Sequence, residues 1–355
     1  MAETWRQIDT GLRPAAQNIA LDRALLEARR AEEIPSTLRF LRFTPCALIG
    51  CNQSAGQELD LDYCKAGGIG IQRRITGGDV MHLDEGQLVW ELYLHRRDIG
   101  SADMQAVSRR LCHAAAAAVS ALGVNARFRP RNDIEVDGRR VSDSAGALDG
   151  DALLFQGTLL VDFDPGAKLR ASRLSSMAAV AFERVVSLKE LLGVKPDVAL
   201  IKRYLAEAYE SEFGVEFVEG DLTLSEHVRY RAALREIGHP DWINLVSSPA
   251  SEMPVLRAQR QTAGGQLHAT IVYDRQTRTI RQAWFASDVS ITPRRVLADL
   301  EAALRHLPAN HLAQRVERFF AGLDVEMQPL TPADFVGVVQ LAVGRVLPAG
   351  VNENT

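Results

Sequence analysis

Three polar segments of this 355-residue sequence combine residue types that could bind an anion. The first, Arg73-Arg74-Ile75-Thr76-Gly77-Gly78, places two arginines at the expected end of a strand, followed by a hydroxyl and two glycines. Glycines let backbone N–H groups approach a ligand closely, and arginines beside such a turn form an anion site. Gly-Gly pairs are also common in plain turns, so this segment alone is equally compatible with a surface turn.

The second polar segment covers residues 131–142 and is expected to form a hairpin. Asp137-Gly138 is a strong signal for a two-residue turn between strands. Such a turn returns basic residues beside the strand that Asn132 and Asp133 begin. The polar residues in question are Asn132, Asp133, Arg139, Arg140 and Ser142. Charged hairpins are usually solvated, so this segment by itself indicates little about function.

The third segment, Phe155-Gln156-Gly157-Thr158-Leu159-Leu160, places polar residues inside an apolar strand. Taken alone, it is typical of a strand irregularity at Gly157. The order of the three segments along the chain is more specific than any one of them.

In this order the segments resemble the lipoate–protein ligase family, which shares its catalytic fold with biotin ligases and octanoyltransferases. The family pattern runs R-R-x-[ST]-G-G-G, D-x-G-[NQ], N-D, G-R-K-[IV]-S-G and [HQ]-G-T-L-L. The matching positions here are 73–78, 84–87, 132–133, 138–142 and 156–160. Residues 18–26, 49–53 and the Gly264-Gly265 region also look like the family, so the resemblance covers nearly the whole chain.

The resemblance implies an α+β fold, with a mixed sheet flanked by helices and a small α+β C-terminal domain. It implies an enzyme that joins lipoate to ATP as lipoyl-adenylate and then passes the lipoyl group to a lysine of a lipoyl-domain or H-protein-like acceptor. The cofactors implied are ATP, Mg²⁺ and lipoate, and no protein metal ligands are predicted. An apolar tunnel is expected to take the dithiolane chain, because the adenylate must be shielded from water.

The resemblance also implies roles for individual residues. Arg140 is the predicted catalytic residue. The loop residues from Arg74 to Asp79 are expected to line the acyl and phosphate site, and Gln87 and Asp133 to hold the adenylate. The predicted substrate- and nucleotide-binding residues are Arg74, Thr76, Gly77, Gly78, Asp79, Gln87, Asn132, Asp133, Ser142, Gln156, Gly157 and Thr158.

Three residues depart from the family pattern. Arg140 stands where the family has a lysine that touches the acyl carbonyl and the α-phosphate; arginine keeps the charge but is larger and planar. Asp79 and Asp143 each replace a glycine, and two like charges 4 Å apart cost roughly 4 kcal/mol at an effective dielectric near 20. Solvent exposure of the two aspartates, pairing with Arg139 or Arg140, or Mg²⁺ would relieve this repulsion. Two hypotheses follow: an active ligase, and a non-catalytic or adenylation-impaired homologue that binds lipoyl groups or lipoyl domains.

Other reaction types fit the sequence less well. A cysteine-dependent octanoyltransferase of this fold needs a thiol after the third segment, and no cysteine follows Cys112. The spacing of the motifs and the C-terminal domain resemble the lipoate branch more than biotin ligases. A metal hydrolase is disfavoured because the eight histidines are scattered, and Pro308 separates the nearest pair, His306 and His311.

The elements that would position these residues can be predicted from periodicity and turn signals. Helices are expected over residues 15–31 and 102–122, near 201–208, and from the Thr-Pro pairs at 292 and 331. Ser187 to Glu190 matches a capping box. Strands are expected over 38–50, 87–94, 152–163, 267–273 and 279–285. A composition break at residues 246–260 predicts a catalytic domain of residues 1–245 and an accessory domain of residues 260–355.

Composition limits the possible partners. The hydrophobic fraction of 46% is that of an ordinary globular protein, and the net charge of −4 gives no case for nucleic-acid or membrane binding. The most apolar run, residues 114–122, is too short to span a membrane, and no secretory signal precedes it. The four cysteines form no C-x-x-C pair. We therefore expect a reduced, cytoplasmic protein.

Overall fold

The computed structural model describes residues 3–51, 53–77, 80–100, 104–129, 133–163, 185–245, 255–287, 289, 291, 295–321, 323, 325–327 and 329–344. The chain divides into two compact units. The first unit comprises Met1–Leu48, Glu58–Thr76 and Val80–Ile243. The second comprises Ile49–Gln57, Gly77–Asp79 and Asn244–Thr355.

The elements before residue 244 alternate between strands and helices. The strands are β1 (Glu3–Arg13), β2 (Thr37–Phe43), β3 (Cys46–Ile49), β4 (Gly70–Arg73), β5 (Met81–Leu83), β6 (Gln87–His95), β7 (Ala126–Arg129), β8 (Asp133–Val136), β9 (Arg139–Asp149), β10 (Ala152–Leu160) and β11 (Val215–Glu219). The helices are α1 (Ala15–Arg30), α2 (Ala55–Glu58), α3 (Leu61–Ala66), α4 (Arg96–Ile99), α5 (Met104–Ser120), α6 (Leu188–Leu192), α7 (Val198–Phe213), α8 (Leu224–Ile237) and α9 (Pro240–Ile243).

A large mixed sheet organises the first unit. Its eight strands follow the order β11-β1-β2-β6-β10-β9-β8-β7. β1 pairs in parallel with β11 and β2, and the remaining neighbours are antiparallel. A second, three-stranded sheet has the order β4-β3-β5. The mixed sheet and its flanking helices are the fold class that the sequence predicted.

Each face of the large sheet is covered by its own core. On one face, α5 and α7 bury apolar side chains with Trp90, Phe155 and Leu159. On the other face, α1 and α8 pack with Leu41, Leu154 and residues of the small sheet. Strand side chains alternate between faces, so the odd and even positions of β10 meet different environments. This alternation decides which motif residues can reach a common ligand.

Several local expectations are confirmed. The helix expected over 15–31 is α1, and the helix expected at Thr331 begins at Pro332. Asp137 and Gly138 both have positive φ, 49° and 76°, as a two-residue hairpin between β8 and β9 requires. The start expected at 292 lies outside the described residues.

Two local expectations are wrong. β10 pairs without interruption with both β6 and β9 through Gly157, so no strand irregularity occurs there. Ser187 accepts a hydrogen bond from the Glu190 N–H at 3.2 Å, but only this half of the capping box forms. The Glu190 carboxylate instead binds the Arg139 guanidinium at 2.5 Å, which takes its side chain away from the helix start.

The second unit contains a four-stranded sheet with helices. Its strands are β12 (Val255–Gln261), β13 (Gln266–Asp274), β14 (Thr279–Ser287) and β15 (Leu307–Pro308), in that spatial order. Its helices are α10 (Arg295–Ala303), α11 (Leu312–Phe320) and α12 (Pro332–Gly344), with a 3₁₀ turn at Ala309–His311. Phe285 and Phe335 meet edge to face at 5.2 Å within its core. Across both units, the helices that the structure describes include none with the length and apolar character of a membrane span.

Candidate functional site

Residues of the second and third sequence segments lie side by side on one face of the large sheet. Asp143 of β9 pairs with Asp133 of β8 and with Thr158 of β10, so the three residues form a row across three strands. Neighbouring strands lie about 4.8 Å apart, so the row spans roughly 10 Å. The sheet register therefore gathers these two segments into one site.

A cleft of about 480 Å³, part of it open to solvent, adjoins this row. Its polar lining comes from His82, Arg140, Ser142, Asp143 and Thr158. Its apolar lining comes from Val80, Met81, Leu83, Leu160, Phe163 and Val185. Apolar walls with a few convergent polar groups and one cation suit a ligand that has a hydrocarbon or ring part and an anionic part.

The two arginines of the first segment lie in different surroundings. Arg73 is fully buried, and its guanidinium donates to the carbonyls of Trp242 and Ile243 at 3.0 and 2.7 Å. The Trp242 indole donates back to the Arg73 carbonyl at 2.9 Å. Arg74 is also buried and donates to the Leu48 carbonyl at 3.0 Å. The predicted basic pair is therefore divided: Arg73 ties β4 to α9, Arg74 binds a carbonyl of β3, and the cleft lining includes neither of them.

The turn before β6 positions Gln87. Asp84 accepts from the Gly86 N–H at 2.7 Å, and the Gln87 amide oxygen accepts from the Asp84 N–H at 2.7 Å. A Cβ on Gly86 would lie 2.0 Å from the Asp162 carbonyl oxygen, so only glycine fits this close approach. The turn thus fixes the buried side chain of Gln87 at the start of β6.

Gln156 is held in a single amide orientation. Its Nε2 donates to Glu91 at 2.6 Å, directly across the β10–β6 pair. The other oxygen of Glu91 accepts from Arg39 at 2.9 Å and from the Tyr93 hydroxyl at 2.5 Å. Because Glu91 can only accept, Gln156 must turn its amide nitrogen to Glu91 and its oxygen away.

The same network extends to α1 and is fully buried. Arg39 also donates to Asp22 at 2.6 Å and to Asn18 at 2.7 Å. Burial raises the pKa of Asp22 well above its usual value, and the nearby Glu91 carboxylate raises it further. Two acids thus share one buried guanidinium, and the acid with the raised pKa relieves the excess negative charge. The network ties α1, β2 and β6 to Gln156.

Apart from the Ser142 hydroxyl, four buried polar atoms of the predicted site have no hydrogen-bond partner in the part of the chain that the structure describes. They are Thr76 Oγ1, Gln87 Nε2, Gln156 Oε1 and Thr158 Oγ1. An unsatisfied buried polar group costs about 1–3 kcal/mol, so native proteins keep few of them. Their concentration at positions 76, 87, 156 and 158, all within sequence motifs, indicates a site that a ligand or ordered water completes.

Ser142 borders the cleft, but its side chain, like the space beside Gly157, lies on the face opposite Gln156 and Thr158. Ser142 pairs with Ile134 and Leu159, whose side chains lie in the core beneath α5, so strand alternation turns its hydroxyl to that face. A Cβ on Gly157 would lie 2.1 Å from the Trp90 ring. Gly157 therefore makes room for an indole on the opposite face from Gln156 and Thr158.

Arg140 lies between two carboxylates. Its Nη1 is 3.8 Å from an Asp143 oxygen and 4.0 Å from an Asp133 oxygen. Burial raises the pKa of Asp133; Arg140 opposes this rise, and Asp143 adds to it. Asp143 and Arg140, which both differ from the family pattern, are thus ion partners of each other. Three predicted residues, Gly78, Asp79 and Asn132, lie outside the described residues.

The four cysteines are all buried. Cys112 contacts the Ser144 hydroxyl at 3.2 Å on the face beneath α5, away from the cleft lining. Burial raises the pKa values of Cys64 and Cys112. A thiol with a raised pKa and little solvent access is a weak nucleophile at neutral pH.

The side chains of the described residues show whether the protein itself could hold a metal ion. Among the residues that the structure describes, no group of three or more His, Cys, Asp or Glu side chains is arranged to hold a metal ion. Mg²⁺ keeps several waters and binds through substrate phosphates as well as carboxylates. The described residues therefore fit a metal that arrives with a nucleotide better than one held by the protein alone.

Some residues that shape the site were not predicted from the sequence. His82 lines the cleft, and Arg39, Glu91 and Tyr93 orient Gln156. Arg39 and Glu91 could have been recognised in the sequence, because each is a charged residue inside a strongly apolar strand. A charge in such a strand must find a buried partner. His82 gives no comparable signal in the sequence.

Comparison with known proteins assigns the family. The sequence profile described as the lipoyl protein ligase A/B catalytic domain matches residues 14–210, more than half of the chain. The chain belongs to this family. The octanoyltransferase LipM of Moorella thermoacetica is 28% identical over 271 residues, which cover 68% of this chain and 98% of that protein.

Two solved structures support the fold. The bi-partite lipoate protein ligase of Thermoplasma acidophilum, described with its E2 lipoyl domain, has a TM-score of 0.63 and 22% identity. It covers 70% of this chain and 100% of its own. LipL1 of P. falciparum in complex with lipoate has a TM-score of 0.70 and 16% identity, over 96% of this chain and 99% of its own. The proteins that resemble this chain in sequence or in fold thus include ones named as transferases and ones named as ligases.

Proposed function

We propose that this chain is an ATP-dependent lipoate–protein ligase. It would join lipoate to ATP as lipoyl-adenylate and transfer the lipoyl group to a lysine of a lipoyl-domain or H-protein-like acceptor in the cytoplasm. The observation that carries the proposal is the group of four buried, unpartnered polar atoms at Thr76, Gln87, Gln156 and Thr158. The structure described with an E2 lipoyl domain supports the choice of acceptor class.

The described residues can supply several parts of this reaction. Arg140 and Arg74 provide cationic groups for the carboxylate and phosphate oxygens, since guanidinium N–H groups match such anions. Gln87 offers an amide N–H donor, and Thr158 a hydroxyl beside the cleft. Water exclusion would come from the apolar lining, because an acyl-adenylate hydrolyses readily if exposed.

Cysteine thioester transfer is the competing chemistry, since several relatives are named octanoyltransferases. It requires a thiolate that can reach an incoming acyl group. All four cysteines of this chain are buried, and Cys112 is directed to the face opposite the cleft. These positions favour adenylate chemistry over thioester chemistry.

A second candidate function is binding without adenylation. It is favoured by Arg140, whose guanidinium lies 3.8 Å from Asp143 and 4.0 Å from Asp133 instead of being free for a phosphate. Such a protein would hold a lipoyl group or a lipoyl domain and release no pyrophosphate.

Lipoate-dependent exchange of labelled pyrophosphate into ATP separates these functions. The parent chain is compared with Arg140→Lys, Asp143→Gly and the combination of Arg140→Lys with Asp79→Gly; Arg139→Lys is the matched control on the neighbouring position. Exchange by the parent identifies a ligase. Exchange only in the Arg140 variants identifies an impaired ligase. Lipoate binding without exchange in any variant identifies the binding protein, and acyl transfer from an octanoyl thioester without ATP would overturn the ligase proposal.

A further inference from the structure

The guanidinium of Arg140 stands between two acids that face each other across a strand pair. Asp133 and Asp143 are register partners in the β8–β9 ladder. Arg140 is 40% exposed, and its distances to the two carboxylates, 3.8 and 4.0 Å, are those of loose ion pairs. Exposed ion pairs are weak. Arg140 can therefore leave the carboxylates for another anion at small cost.

The loss of Arg140 from between the two carboxylates raises their affinity for a proton. Directly opposed side chains in an antiparallel pair have Cβ atoms about 5 Å apart, so two ionised carboxylates repel each other there. Burial already raises the pKa of Asp133, and Arg140 is the largest influence that lowers it. With both carboxylates ionised, removing Arg140 from between them changes the net charge of this group from −1 to −2. Protonation of one of the two carboxylates would relieve this repulsion.

Other charged groups near Asp133 do not replace Arg140. Arg129 of β7 approaches Asp133 at 3.9 Å, but it also approaches Glu135 at 3.5 Å. Cys112 of α5 contributes no cation. His82 of β5 lines the same cleft and carries the one other basic side chain among the lining residues that the structure describes.

We propose that Asp133 and Asp143 compete with a phosphate-bearing ligand for Arg140, so that anion binding is coupled to protonation of this carboxylate pair. Asp143 then acts as a positioning residue for Arg140. The proposal rests on the proposed function only for the location of the phosphate at Arg140; it does not require adenylation.

The coupling has a definite sign. The anion withdraws Arg140, the proton affinity of the carboxylate pair rises, and a proton enters with the ligand. Affinity for the anion therefore falls as pH rises through the range in which the pair titrates. If one proton enters per anion, affinity changes by about tenfold per pH unit at most.

Calorimetry on the full-length chain tests this coupling. AMP, and separately inorganic pyrophosphate, is titrated near pH 6 in two buffers of different ionisation enthalpy, and the difference in heat gives the protons taken up. The parent should take up a measurable fraction of a proton per anion. Asp143→Gly, with Asp143→Asn as a second variant for folding, should lose most of this uptake and bind the anion about threefold tighter, the scale of a weak ion pair.

Two control variants make the result specific. Glu190→Gln removes the partner of Arg139, the neighbouring ion pair on β9, and should leave the proton uptake unchanged. His82→Gln should also retain it. The proposal is overturned if the parent binds neither anion, if its heat is independent of buffer, if uptake persists in both Asp143 variants, or if it disappears in His82→Gln. Absence of pyrophosphate exchange with intact proton uptake would overturn only the proposed adenylation.

Discussion

Replacing Gly157 by alanine is expected to destabilise the fold while leaving the ligand-facing side of β10 in place. The added Cβ would lie 2.1 Å from one atom of the Trp90 ring and 2.5 Å from two others, so the indole must shift by more than 1 Å to reach about 3.5 Å, a normal carbon–carbon contact. Trp90 is buried and donates to the Tyr209 hydroxyl at 2.9 Å. Tyr209 in turn donates to the Leu111 carbonyl at 3.3 Å, so the shift disturbs two hydrogen bonds.

The magnitude follows from these contacts. Overpacking a dense core costs about 1–3 kcal/mol, and a weakened buried hydrogen bond about 1 kcal/mol. Gly157→Ala should therefore lower the free energy of unfolding by about 2–4 kcal/mol, measured by urea denaturation. Gly146→Ala is the matched control, because Gly146 is exposed on the adjacent strand and its new Cβ would meet no atom closer than 3.2 Å.

A second-site change separates packing from ligand binding. Trp90→Phe opens space beside residue 157, so the double variant should recover part of the lost stability and bind lipoate like Trp90→Phe alone. If Gly157→Ala is as stable as the parent, the packing argument is wrong. If the double variant is stable but has lost lipoate binding, Gly157 contacts the ligand, as the family resemblance implied.

Four further predictions concern other parts of the chain. Arg74→Ala should weaken lipoate binding by about 1.5–3 kcal/mol, the scale of a charged hydrogen bond, and unchanged affinity by calorimetry would remove Arg74 from the site. A variant without any of the four cysteines should retain acyl transfer; a folded but inactive variant would revive thioester chemistry. A fragment of residues 1–245 should fold and bind lipoate, because the predicted pockets lie within it; a folded fragment that does not bind would count against this division. Burial raises the pKa of Glu301 to about 7, above the unfolded value near 4.3, so its contribution to stability is full at low pH and is lost as pH rises towards 7. Glu301→Gln should remove this dependence, about 3–4 kcal/mol in total, from the pH profile of the free energy of unfolding; an unchanged profile would show that Glu301 does not titrate there.

Several local features of this protein were determined by the sequence alone. The Asp137-Gly138 turn, the amphipathic α1 and the start of α12 at Pro332 depend on residues close together in the chain, where backbone propensity and periodicity decide the outcome. The order of the three polar motifs was enough to predict the family and the fold class, because motif order survives where overall identity is low.

The tertiary structure decided which motif residues can act together. Arg73 and Arg74 are neighbours in sequence, yet the carbonyls of Trp242 and Ile243 bind only Arg73. Such a choice depends on a partner far along the chain, which local patterns cannot specify. The pairing of Asp143 with Arg140 likewise needed the bulge in β9 and the β8–β9 register.

The two faces of β10 show the same limit. Gln156 and Gly157 belong to one motif, but strand alternation gives Gln156 to the buried Glu91 network and Gly157 to the Trp90 ring. The sequence could place both residues in a strand. It could not say which face would meet the helices and which would meet a ligand, because that choice is made by the packing of α1 and α5 on opposite sides of the sheet.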